Sequence, residues 1–149
     1  MEGRYHLRRL PDHILRQSCV EVNDFSDLGD LLSNMREIIE ANKGVGLAAP
    51  QIGDNRRVAI AKIGEEVREF INPKKLREGK HPYSGPEGCL SVPGEIVQMN
   101  RRYPIQVGYQ DRQGMYHTEV LRGLNAVVLQ HEMDHLDGIL IIDNDKPTY

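Results

Sequence analysis

Long apolar runs, a cysteine framework and a strong charge of one sign are all missing from this chain, and each absence removes a class of function. No stretch approaches the roughly 18 apolar residues of a membrane span, and the N-terminal "MEGRYHLRRLPDH" has no apolar export core. A cytoplasmic protein working off the membrane is therefore expected. The two cysteines, Cys19 and Cys89, have neither the compartment nor the need to pair, so each is judged by its neighbours. Cys19, in "QSCVEV", reads as a small buried apolar residue. Nineteen basic against twenty-two acidic side chains leave a net charge of −3, which gives no global field toward nucleic acid or lipid. Repeats, low-complexity tracts and linkers are also absent, and 149 residues suit one domain spanning 1–149.

The apolar periodicity outlines that domain. Asn23 and Asp24 offer an N-cap to a helix in which Leu28, Leu31, Leu32, Met35, Ile38 and Ile39 recur at helical spacing until Gly44. "GVGLAAPQIG" follows, small and turn-rich, as suits backbone that must lie close to something else. "RVAIAKI" and "EVREFINP" read as strands, the second ended by Asn72 and Pro73, and "LREGKHPYSGPEG" reads as loop. "YPIQVGYQD" and "GMYHTEVLR" alternate around the turn "DRQG" as a hairpin. A second helix is expected between Gly123 and Gly138, "ILIID" as a last short strand, and "NDKPTY" as a frayed tail. The class is α+β, with mostly antiparallel strands around a central helix.

That helix carries "QHEMDH". His131 and His135 stand one turn apart on one face and can direct two imidazoles at one point. Glu132, rotated off that line, can reach a water on a bound metal without ligating it. A catalytic metal of this kind takes three protein ligands. Downstream there are only Asp137, Asp143 and Asp145, all close in sequence. The better candidate is Cys89 in "GPEGCLSVPG", set between Gly88 and a short apolar strand in an arrangement that presents a thiolate to a neighbouring helix. The alternative for Cys89 is a buried structural thiol.

Three stretches in order, "GVGLAAPQ" at 44–51, "EGCLS" at 87–91 and "QHEMDH" at 130–135, resemble the three signature motifs of the peptide deformylases. "PDHILR" and "INP" are similar to family positions as well, so the resemblance covers nearly the whole chain. It implies a metal held by Cys89, His131 and His135. The metal implied is one Fe(II) per chain, with zinc, nickel or cobalt as substitutes, whereas the ligand set by itself suits zinc. It further implies removal of the formyl group from formylmethionine at the N-terminus of nascent polypeptides, releasing formate. Metal-bound water would attack the formyl carbon, Glu132 would act as general base and then acid, and Gln51 and the Leu90 N–H would stabilise the oxyanion.

By the same resemblance Val45 and Gly46 bind substrate backbone like an added strand, while Leu90, Leu124 and Val128 wall the methionine pocket. Glu87 is expected to support a ligand through a basic partner such as Arg101. Glu95, Ile96 and Val97 stand where many members have an arginine, and the chain reads as a short form without the C-terminal helix that docks many bacterial members on the ribosome. Partners are thus expected to be formylmethionyl peptides, with the ribosome secondary, no nucleic acid and no membrane, acting on a monomer. Two other readings stay open: an endopeptidase on the same helix motif, and a structural metal site in a peptide-binding module.

Overall fold

The computed structural model describes residues 5–144. Helix α1 spans Gly29–Ala41 and buries Leu31, Leu32, Met35 and Ile39, the stripe its periodicity predicts. Its start differs from expectation. Asp24 caps a separate 3-10 turn, Phe25–Asp27, by accepting from Ser26 N, and α1 begins five residues after it with no side-chain cap. The helix stops three residues before Gly44, where Lys43 takes the left-handed conformation (φ 53°) and Gly44 N–H bonds to Ile39 O.

Five strands follow: β1 Gly46–Ala48, β2 Val58–Ile63, β3 Glu66–Gly88, β4 Ile96–Gln110 and β5 Tyr116–Leu121. They form one antiparallel sheet in the order β1-β2-β3-β4-β5, so β1 and β5 are its edges. The segment expected as a loop after Pro73 is instead the long outer half of β3. Its polar, glycine- and proline-rich composition carries no strand signal because the arm it forms with β4 is largely exposed. Pairing with β4 sustains it, with register shifts at Ile71/Lys74, Lys75/Arg77 and Glu78/His81. Asn72 marks the first shift at φ 53°, and its amide bridges Val22 N and O and the Gln110 side chain. Gly79 faces Pro104 so closely that a Cβ there would meet Pro104 Cδ at 2.5 Å.

Helix α2, Gly123–Leu136, lies against β1, β2 and β4. Ala126, Leu129, Met133 and Leu136 are buried, and so are the polar Gln130, Glu132 and His135, which makes it the central helix the α+β reading requires. Leaving it, Gly138 takes φ 76° and donates to His135 O. Two further expectations are corrected. "ILIID" forms a 3-10 turn, Ile141–Asn144, rather than a strand, and Cys89 is followed by a tight turn rather than a short apolar strand, with Val92 N–H bonding back to Cys89 O. Beyond Asn144 the tail lies outside the described residues. Cys19 is half-buried beside Ala48, Ala59 and Leu136, and burial pushes its thiol up to about 12, in keeping with an inert apolar role.

Candidate active site

The register of the long arm fixes one side of the site and α2 fixes the other. The last pair of the arm, Gly88 with Ile96, delivers Cys89 to the N-terminal half of the turn, directly over α2. His131 and His135, one helical turn apart, face it. Cys89 Sγ lies 3.3 Å from His135 Nε2, His135 Nε2 lies 3.2 Å from His131 Nε2, and all three atoms fall within 4.8 Å of one another. Ligand atoms held tetrahedrally at ordinary metal–sulfur and metal–nitrogen distances are about 3.3–3.6 Å apart, so the spacing fits a single transition-metal ion. The donors also fit chemically, a thiolate with two imidazoles being suited to zinc or iron rather than to calcium or magnesium.

A row of ion pairs behind His131 holds that ring, whereas His135 Nδ1 meets no hydrogen-bond partner among the described residues. His131 Nδ1 is 2.8 Å from Glu87 Oε1, which assigns the ring proton to that nitrogen and turns Nε2 toward Cys89. Arg101 grips Glu87 with two bonds of 2.7 and 2.8 Å, and its remaining arm reaches Asp134 at 2.9 Å. Burial works against the Glu87 charge, yet Arg101 and His131 hold its carboxyl down at about 2. The titrations of the two rings are driven in opposite directions. Burial opposes charge on His131, but Glu132, the Cys89 thiol and Glu87 outweigh it and raise the ring to about 10, while burial and the charges of His131 and Arg101 lower His135 to about 3.

Glu132 is 3 % exposed and its Oε1 meets no hydrogen-bond donor among the described residues. Burial raises its carboxyl to about 7 despite the pull of His131 and Arg101. Gln51 comes from the 3-10 turn Ala49–Ile52 and is fixed at both ends. Its Oε1 accepts from Ala48 N at 2.9 Å, and its Nε2 donates to Ser91 Oγ at 3.2 Å and faces Cys89 Sγ at 3.6 Å. The bond from Ala48, which can only donate, sets which way the amide is turned.

These groups line one cavity of about 470 Å³. Val45, Gly46, Gln51, Cys89, Leu90, Leu124, Val128, His131 and Glu132 all border it, so of the expected ligand, catalytic and substrate-binding residues only His135 is off its wall, standing behind it. Sequence reasoning missed Ser91, the partner of the Gln51 amide, although it closes the quoted "EGCLS". It also left Asp134 without a role, and its contact to Arg101 depends on a fold-level approach of β4 to α2. Glu95 and Ile96, from the stretch where many members have an arginine, also line it, as do Val127 and Tyr83, which nothing in local sequence marks.

The profile of the family described as Polypeptide deformylase matches residues 5–148. A peptide deformylase of Heliobacterium modesticaldum is 40% identical over 147 residues, covering 96% of this chain and 97% of the relative. One from Syntrophomonas wolfei is 43% identical over 145 residues, covering 97% and 95%. Among solved structures, peptide deformylase from Thermotoga maritima superposes with a TM-score of 0.93 at 38% identity, covering 98% of this chain and all of that one. A probable peptide deformylase from Synechococcus phage S-SSM7 does so with a TM-score of 0.87 at 37% identity, covering 93% and 98%.

Proposed function

The chain belongs to the polypeptide deformylase family and is an enzyme that removes the formyl group from N-terminal formylmethionine, and on that premise we propose how its residues do so. The observation that carries the reading is the convergence of one thiol and two imidazole nitrogens beside a buried carboxylate with an unpartnered oxygen, on the wall of one cavity. Cys89, His131 and His135 would hold the metal, with Fe(II) as the native ion and zinc, nickel or cobalt as substitutes. When bound, the metal supplies Lewis acidity to the water and to the formyl carbonyl.

Glu132 takes the proton of the attacking water as its oxygen bonds to the formyl carbon. Its raised pKa suits a group that must accept a proton and then release it near neutrality. As negative charge gathers on the formyl oxygen, the Gln51 amide and the Leu90 N–H donate to it, the first already aimed by Ala48 and Ser91. The carbon–nitrogen bond then breaks, Glu132 returns its proton to the leaving amine, and formate departs. Gly46 opens the edge strand β1 and Val45 immediately precedes it, and the outer side of β1 has no partner strand among the described residues, which supports binding of the peptide backbone as an added strand. Leu90, Leu124 and Val128 receive the methionine side chain.

Since one chain supplies every group, we read the working unit as a monomer of one domain, acting in the cytoplasm on peptides leaving the ribosome. The test is formate release from a formyl-methionyl tripeptide by anaerobically prepared, iron-loaded protein. Turnover well above a Glu132→Ala control is expected, and equal rates would reject the assignment of Glu132.

A further inference from the structure

Gly46 is placed where a side chain would strike Glu132. A Cβ built on it would lie 2.4 Å from Glu132 Oε2, 2.9 Å from Cδ and 3.0 Å from Cγ. The overlap therefore involves the whole carboxylate end and not only its tip. Neither partner has room to retreat. On one side, β1 is pinned by the pairing of Gly46 with Ala61, by the Lys62 N–H bond to Val45 O at 2.7 Å, and by the fully buried Leu47 and Ala48. On the other, Glu132 is 3 % exposed on a helix buried along most of its length. The open direction is the cavity that both residues line.

We propose that Gly46 is a positioning residue for Glu132: its bare Cα is the backstop that holds the carboxylate and leaves Oε1 free to face the cavity. This rests on the reading of Glu132 as the proton carrier and gives Gly46 a duty separate from binding peptide backbone. A methyl group at this position moves the carboxylate into the cavity by about 1 Å, the distance needed to restore ordinary contact. Displacement of a reacting group by that amount costs roughly 100-fold in rate.

The test is a four-protein cycle of wild type, Gly46→Ala, Glu132→Asp and Gly46→Ala/Glu132→Asp, with kcat, KM, metal per chain and Tm measured for each. Gly46→Ala is expected to lower kcat about 100-fold with KM changed less than threefold and metal retained. With the shorter carboxylate of Glu132→Asp the overlap is relieved, so the same change should there cost less than threefold. An equal loss in both backgrounds, or a raised KM with kcat intact, overturns the proposal and leaves Gly46 as a backbone-binding position. If turnover of any variant is too low to measure, Tm decides: Glu132→Asp should restore the stability lost in Gly46→Ala, and no restoration overturns the contact. The premise fails separately if Glu132→Asp and Glu132→Gln keep wild-type kcat, whatever Gly46→Ala does.

Discussion

The floor and the rim of the cavity are built on different terms. At the floor, Glu132 and Gln51 are each under 4 % exposed, as is His135 behind them, and Glu87, Arg101 and Asp134 brace His131 through a continuous row of charged hydrogen bonds. At the rim, Val45, Leu124 and Ile96 are 55, 65 and 70 % exposed and are apolar. A reacting group must be held to a fraction of an ångström, whereas a surface that receives varied peptide side chains works by contact area. Fixed polar geometry and yielding apolar surface therefore share one cavity, and the division can be tested residue by residue.

The largest effect belongs to the ligands. A chelator, or Cys89→Ala, is expected to remove formate release altogether and to lower Tm, and metal analysis with calorimetry checks both. Next, Gln51→Leu should reduce kcat by about 100-fold or somewhat more with KM nearly constant, as loss of one oxyanion donor does, and steady-state kinetics would separate the two constants. Arg101→Leu touches neither water nor peptide yet strands the buried Glu87 charge. It should weaken metal binding about 10- to 100-fold and cost about 3–5 kcal/mol in denaturant unfolding. Leu124→Ala, on the rim, should change KM only a few-fold and stability by less than about 0.5 kcal/mol, and a large fall in kcat here would erase the distinction between floor and rim.

A carboxylate away from the cavity supplies a control. Burial would raise Asp54, but Arg56 and the Tyr5 hydroxyl outweigh it and hold its carboxyl below the usual 3.8. Its contribution to stability is thus complete above about pH 4 and is lost as pH falls through the lowered value. Asp54→Asn should flatten that acid limb of the stability curve while leaving kcat at neutral pH unchanged.

Much of the floor was legible in the sequence because its chemistry needs particular residue types at particular spacings. The i, i+4 histidines, the glutamate between them and the cysteine in its glycine-bounded turn are such residues. The amphipathic α1 was legible for a similar reason, its stripe following the helical period. The outer half of β3 was not, since Pro73, Gly79, Pro82 and Pro86 speak against a strand and only the partner β4 overrules them. The same holds for Ser91 and Asp134. A serine against an amide and an aspartate against an arginine carry no local signature, and their use becomes visible only when residues 33 to 40 positions apart meet.

The convergence of Cys89 with His131 and His135 also has a meaning in polymer terms. The thiol sits at the foot of the β3–β4 arm and the imidazoles on α2, so an ion held between them ties off a loop of roughly 40 residues that includes all of β4 and β5. Closing a loop of that length restricts the unfolded chain by on the order of 4 kcal/mol if the tie persists there, and in the native state it fastens the arm to the central helix. The ion that supports the reaction is then also a removable staple. Its departure should be felt first not at the cavity but along the arm, as faster amide exchange in β4 near Ile96.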